Sequence, residues 1–309
     1  MREIEARMRS QIGFDHHPDL IRALDHLLSA GGKRIRPRLV LLAAQLADAQ
    51  EEASITLAAA IEMLHTATLV HDDLIDGALL RRGNPTLNAQ WTPGATVLTG
   101  DYIFARAAHL ASQTGSTALM KQFALTLMTI VNGEATQLFS RDEHLTFEGY
   151  LLRIYAKTAA LFEISAEGAS LLPGGDTALR SSLRTFGYNL GIAFQIMDDI
   201  LDFTGDPDEL GKPIASDLRQ GLITLPTLMY LEQHQAEEDL ALRIQHKQLS
   251  EDDILEVFAS IRNSSAIVSS QEKADHHLDK AEQDLGTLPA SPARAALAEL
   301  VESLRHRHS

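Results

Sequence analysis

Residues 54–77 read SITLAAAIEMLHTATLVHDDLIDG. Apolar side chains at Leu57, Ile61 and Leu64 recur at spacings of four and three, the period of an α-helix. The stretch stays apolar on nearly every face until it ends in His71-Asp72-Asp73-Leu74-Ile75-Asp76. A helix that is apolar nearly all round belongs in the middle of a helical bundle. Its acidic end is the anomaly. Asp72 and Asp76 are one turn apart on one face with Asp73 beside them, against the negative end of the helix dipole.

The pattern occurs a second time. Residues 177–203 carry Leu183, Phe186, Leu190, Phe194 and Met197 at helical spacing and finish in Met197-Asp198-Asp199-Ile200-Leu201-Asp202. Carboxylates crowded twice at apolar helix ends are an energetic liability unless cations neutralise them. With hard oxygen donors and no cysteine, that cation is expected to be Mg²⁺, which binds one or two carboxylates together with substrate phosphates. Asp72, Asp76 and Asp198 are the expected direct ligands. Read singly, each motif could equally be a solvated helix end.

Outward from these helices the 3.6-residue period persists and alternating strand-like runs are scarce. Turn signals at Gly31-Gly32, Arg82-Gly83-Asn84-Pro85, Thr92-Pro93-Gly94, Pro173-Gly174-Gly175 and Gly205-Asp206-Pro207 separate long helical segments. No composition shift marks a linker. The expected fold class is all-α, a single-domain bundle of antiparallel helices spanning residues 1–309.

Composition narrows the function. The chain has 27 basic and 42 acidic residues, a net charge of −15, and is 45% hydrophobic. That surface repels nucleic-acid phosphates. The absence of cysteine excludes disulfides and thiolate metal sites and fits a cytoplasmic protein. The first residues lack an apolar core of the secretory kind, and no uninterrupted apolar run reaches membrane-spanning length, so no transmembrane segment is expected.

Against this acidic background the basic clusters stand out. Lys33, Arg34 and Arg36 follow a glycine pair, Arg81-Arg82 follows the first aspartate group, and Lys157-Thr158 and Gly211-Lys212-Pro213 add two further cations. Arginine forks and lysine point charges suit diphosphate oxygens, although each taken alone could be a surface cation. His65, two turns before Asp72, reads as a ligand or as a satisfied core histidine. His16-His17, His276-His277, His306 and His308 read as solvated residues rather than metal sites.

Together these residues resemble the trans-isoprenyl diphosphate synthases, the polyprenyl synthetase family. The resemblance runs through GGKRIRP (31–37), HTATLVHDDLID (65–76), RRGNPT (81–86), GDYIFARA (100–107), KTAALF (157–162), FQIMDDILDFTGD (194–206), GKP (211–213) and DLRQGLITLP (217–226), about two-thirds of the chain. After about residue 230 no motif contributes.

The resemblance implies Mg²⁺-dependent head-to-tail condensation of isopentenyl diphosphate with an allylic diphosphate, in a helical bundle that is usually a homodimer. It implies three Mg²⁺ ions on Asp72, Asp76 and Asp198, supported by Asp73, Asp199 and Asp202. Arg81, Lys157, Thr158, Gln195 and Lys212 would contact the allylic diphosphate. Lys33, Arg36, His65 and Arg82 would contact that of isopentenyl diphosphate. Short-product members commonly carry an aromatic residue five positions before the first aspartate. Here that position is Ala67, beside Thr68, with Leu64 and Ile61 a turn and two turns below. The product is therefore expected to be geranylgeranyl diphosphate or longer. Two alternatives stay open: a catalytically incomplete subunit of a hetero-oligomeric synthase, and a class I terpene cyclase, whose second metal motif would usually hold Asn, Ser or Thr, and Glu.

Overall fold

The long apolar segment forms helix α4, Glu51–Ile75, bracketed by signals its sequence carries. Glu51 and Glu52 lie in its first turn, where the helix dipole favours acids. At the other end Gly77 takes φ +66°, Gly77 N–H donates to Leu74 O (3.3 Å) and Ala78 N–H to Asp73 O (2.9 Å). This paired closure stops the helix immediately after its aspartates. Ile61, Leu64 and Ala67 have no exposed surface. Each of the larger two contributes roughly 1.5–3 kcal/mol of burial. α4 is long and apolar enough to cross a membrane, but 83% of its apolar window is buried within the protein, as in a core helix.

In this computed structural model the described residues are 1–10, 17–29, 31–81, 83–139, 146–205, 214–234 and 238–306. In chain order the helices are α1 (Arg2–Arg9), α2 (Pro18–Ser29), α3 (Ile35–Leu46), α4, α5 (Leu87–Gln90), α6 (Pro93–Gln113), α7 (Thr117–Phe139), α8 (Phe147–Ile154), α9 (Ala160–Ser170) and α10 (Arg180–Thr204). They continue as α11 (Ser216–Arg219), α12 (Leu225–Gln233), α13 (Glu238–Gln245), α14 (Glu251–Arg262), α15 (Ala266–Gly286) and α16 (Pro292–Arg305). A π-helical turn, Tyr155–Ala159, joins α8 to α9, and a 3₁₀ turn, Thr177–Leu179, precedes α10. Among the described residues, strand is confined to β1 (Leu80–Arg81) paired antiparallel with β2 (Asn84–Pro85). The all-α expectation holds.

Close packing divides the chain into two units. The first comprises Met1–Thr126, Leu161–Gly187 and Asp284–Leu297, and the second Leu127–Ala160, Tyr188–Gln283 and Ala298–Ser309. In the first, α4 packs against α6, α3 and α1. Gly100 on α6 makes room for the His71 ring, which a Cβ there would meet at 2.2 Å. In the second, a Cβ on Gly133 of α7 would lie 2.3 Å from the Ala156 Cβ, so α7 can approach the π-helical turn only with glycine at that point.

Local capping explains several boundaries that the turn signals anticipated. Thr92 is the N-cap of α6, accepting from Ala95 N–H, and Pro93 follows at the first helical position. Thr146 caps α8 by accepting from Gly149 N–H at 3.0 Å. Ser250 and Asp253 form a reciprocal capping box on α14. Thr92-Pro93-Gly94 thus marks the break between α5 and α6, with Thr92 as the cap that starts α6.

Candidate functional site

One cluster of candidate residues, within the first unit, is built on the end of α4. Asp72 is half-buried, Asp73 buried and Asp76 exposed. The Gly77 closure turns the chain into the β1–β2 hairpin, and that hairpin brings Arg81 back to the helix end. Arg81 Nε and Nη2 both donate to Asp73 Oδ1 at 2.8 Å. Burial pushes the Asp73 carboxyl above its ordinary range, and the Arg81 guanidinium pulls in the opposite direction. A guanidinium carries five N–H donors, so an arginine held this way keeps donors for an anion. Arg82 lies outside the described residues.

His65, Thr68 and Asp72 are half-buried along one stripe of α4, whereas Ala67, Leu64 and Ile61 are fully buried. His71, next to Asp72, contacts Val97 O through Nε2 at 3.2 Å and lies 3.5 Å from Asp101.

The basic loop of the same unit is anchored by one of the three cations that its sequence offers to an anion. Arg34, at φ +48°, is the N-cap of α3. It donates to Glu62 Oε1 at 2.5 Å and to Leu28 O at 3.2 Å. Glu62 is 5% exposed and lies on α4 three residues before His65. This pair fixes the loop, leaving Lys33 exposed and the Arg36 guanidinium 4.7 Å from the centre of the Phe162 ring. The signal was legible in outline, since an acid within an otherwise apolar helix demands a cation.

A separate cluster, within the second unit, is built on α10 and the π-helical turn. Asp198 is half-buried, and Asp199 and Asp202 are buried. Asp199 accepts from Tyr150 Oη at 2.7 Å on Oδ2 and from Gln195 Nε2 at 2.8 Å on Oδ1. Burial pushes its carboxyl up to about 6, even though both hydrogen bonds favour the charged form. Burial and the adjacent carboxylate push the Tyr150 phenol well above its usual value. Asp202 Oδ2 accepts from Asp217 N–H at 3.2 Å.

Thr158 is buried and donates to Gln195 Oε1 at 2.5 Å, so Thr158, Gln195 and Asp199 meet directly. Lys157 is exposed, 4.0 Å from Glu134. It sits with Thr158 on the π-helical turn, a distortion found frequently at functional sites. Lys212 lies outside the described residues.

His276 and His277 require a correction. His276 is exposed as expected, but His277 is 7% exposed and its Nδ1 lies 3.0 Å from Asn189 Oδ1. Burial, with Lys280, His276 and Lys273 adding positive charge, lowers its pKa to about 4. The pair lies within α15 at the edge of its buried face, so the two successive residues face opposite environments. His17 and His306 are exposed, and His16 and His308 lie outside the described residues.

Among the described residues no three acidic or histidine side chains form a ready-made metal cage. A hard cation that takes part of its coordination from substrate phosphates does not require one. Each helix end, taken by itself, fits Mg²⁺ in donor type: both offer carboxylate oxygens, and that of Asp76 is exposed.

Residues 17–261 match the family model described as polyprenyl synthetase. The all-trans-nonaprenyl-diphosphate synthase (geranyl-diphosphate specific) of Rhodobacter capsulatus is 42% identical over 282 residues, covering 89% of this chain and 85% of the relative. Heptaprenyl diphosphate synthase component 2 of Bacillus subtilis is 36% identical over 309 residues, covering 99% and 86%. Among solved structures, a polyprenyl synthase from Caulobacter crescentus CB15, complexed with calcium and isoprenyl diphosphate, aligns with TM-score 0.92 at 37% identity, covering 100% of this chain and 95% of that one.

Proposed function

The chain belongs to the polyprenyl synthetase family and is a trans-prenyltransferase acting on isoprenoid diphosphates; on that premise we propose that it makes a long trans-polyprenyl diphosphate, geranylgeranyl or beyond. The observation that carries this reading is the small residue at Ala67 together with relatives named for heptaprenyl and nonaprenyl products. The whole chain acts as one catalytic domain.

Asp72, Asp76 and Asp198 are the proposed Mg²⁺ ligands, with three ions present when substrate is bound. Mg²⁺ supplies neutralisation of the diphosphate charge that grows as the allylic C–O bond breaks. Lys157, Thr158, Gln195, Lys212 and Arg81 hold that diphosphate, Arg81 through donors not committed to Asp73. Lys33, Arg36, His65 and Arg82 orient isopentenyl diphosphate. Apolar walls keep water from the allylic cation until the alkene reaches it. The departing diphosphate accepts the final proton, as the resemblance to the family implies. Thr68 keeps accessible surface where Ala67 has none, so a bulky residue at position 68 is the more direct obstruction to chain growth.

The experiment is incubation of purified protein with isopentenyl diphosphate, Mg²⁺ and each allylic primer in turn, with dephosphorylated products resolved by mass. One dominant product of geranylgeranyl length or longer is expected, shortened in Thr68→Phe. Farnesyl diphosphate as sole product would overturn the length assignment.

A second reading is favoured by one observation. A relative matching 99% of this chain is named as a component, which implies a distinct partner subunit for that protein. Here we favour a homodimer that is active alone. Folded protein that condenses no primer by itself would instead assign this chain to a hetero-oligomer.

A further inference from the structure

A chain of hydrogen bonds links α8, α10 and the π-helical turn within one unit. Tyr150 is 1% exposed and donates to Asp199; Gln195 donates to Asp199 and accepts from Thr158. The direction of every bond follows from the one before it. An ionised carboxylate only accepts, so the Gln195 amide must turn its N–H toward Asp199. Its carbonyl then faces Thr158, and a carbonyl only accepts, so the Thr158 hydroxyl must donate.

Glutamine is otherwise loose at this torsion, because the terminal amide has a broad, roughly two-fold profile. What prevents the flip is the fixed carboxylate, and what fixes the carboxylate from its other side is the Tyr150 hydroxyl. The phenol is itself immobilised. The Arg153 guanidinium stacks 5.5 Å from the Tyr150 ring centre and donates to Ile223 O.

We propose that Tyr150 is a positioning residue for the allylic diphosphate, acting through Asp199 to hold the Gln195 amide and the Thr158 hydroxyl in one arrangement before substrate arrives. The proposal rests on the assignment of Thr158 and Gln195 as diphosphate contacts. It also gives Asp199 a positioning role that one hydrogen bond on each of its oxygens supports. Preorganised polar groups need no rearrangement when charge develops, and losing one hydrogen bond to a charged group costs enough to change an affinity by about tenfold.

The test is steady-state kinetics on Tyr150→Phe, Asp199→Asn, the double variant and Thr158→Ala, each checked for intact folding by thermal melting. Tyr150→Phe keeps the ring and removes only the donor. It should raise the KM for the allylic substrate by about tenfold and leave the KM for isopentenyl diphosphate unchanged. In Asp199→Asn the new amide can donate to Gln195, which reverses the relay, so adding Tyr150→Phe should change the allylic KM by less than twofold more. Equal rises in both KM values, a fall in kcat alone, or effects that multiply in the double variant would overturn the proposal. If Thr158→Ala raises the allylic KM while Tyr150→Phe does not, the relay fails and the diphosphate assignment stands. If Thr158→Ala leaves that KM unchanged, the assignment fails and the relay with it.

Discussion

At the end of α4 the middle aspartate of the motif meets a guanidinium; at the end of α10 it meets a phenol and an amide. The two sequences, Asp-Asp-Leu-Ile-Asp and Asp-Asp-Ile-Leu-Asp, are nearly interchangeable, and both middle aspartates are buried. Their charges are nevertheless handled in opposite ways. Arg81 cancels the charge of Asp73, whereas Tyr150 and Gln195 solvate Asp199 without cancelling it. Burial raises both carboxyls, Asp199 to about 6 and Asp73 against the pull of Arg81. A cation near α10 would meet a carboxylate held by neutral donors, and one near α4 a carboxylate already paired, with Asp72 and Asp76 beside it.

The largest expected effect tests whether the flanking aspartates are equivalent despite this difference. Asp72→Ala and Asp198→Ala should each lower kcat by about 10²–10³-fold, the scale of losing one strong electrostatic contact to a developing charge. A loss at one position only would break the symmetry of the two motifs.

The locks themselves should differ in stability. Arg81→Gln leaves Asp73 buried without its cation and should cost about 1–3 kcal/mol in urea unfolding, discounted because Arg81 is partly exposed. Asp73→Asn in the same chain should restore most of that. Tyr150→Phe, which removes one hydrogen bond to a carboxylate, should cost about 1.5 kcal/mol.

The two glycine contacts sharpen the contrast further. Gly133→Ala forces its Cβ against the Ala156 Cβ, which cannot move without the π-helical turn, and should cost about 1–3 kcal/mol. Gly100→Ala meets the His71 ring, the end of a rotatable side chain, and should cost less while displacing His71. Thermal melting of both variants decides the order.

The last effect is in pH and is spread over more than two units. His277 lies in the same unit as the α10 motif, and its folded pKa of about 4 lies below its unfolded value near 6.5. The unfolded chain therefore binds the extra proton first, and the stability this group contributes is present above pH 6.5 and lost as pH falls toward 4. At most about 3 kcal/mol is involved. Lys280, His276 and Lys273 act on His277 as positive charges, which reinforces the direction. His277→Asn should flatten the pH dependence of urea unfolding between 4 and 6.5.

Much of the fold was legible because helices are local objects. The segments 54–77 and 177–203 appear as Glu51–Ile75 and as a 3₁₀ turn running into Arg180–Thr204, their ends displaced by at most a few residues. The signals at Gly31-Gly32, Gly83-Asn84, Thr92-Pro93 and Pro173-Gly174 lie at boundaries between elements, Thr92 doing so as a cap. His277 was misread because a polar pair on a charged helix gives no sign of which member turns inward. Tyr150 was passed over altogether, since a tyrosine seven residues before Lys157 carries no pattern that distinguishes a core ring from a hydrogen-bond donor.

The amino-acid sequence alone determined the all-helical class, the two acidic helix ends and the chemistry they call for, because periodicity, net charge and residue type are properties of short stretches. Only the tertiary structure decided which oxygen each buried aspartate commits and to whom. Arg34 with Glu62, Arg81 with Asp73, and Tyr150 with Asp199 are pairings between residues 28, 8 and 49 positions apart. Burial makes such pairings necessary, since an unpaired charge in the interior is too costly to keep, but which partner answers depends on how the helices pack.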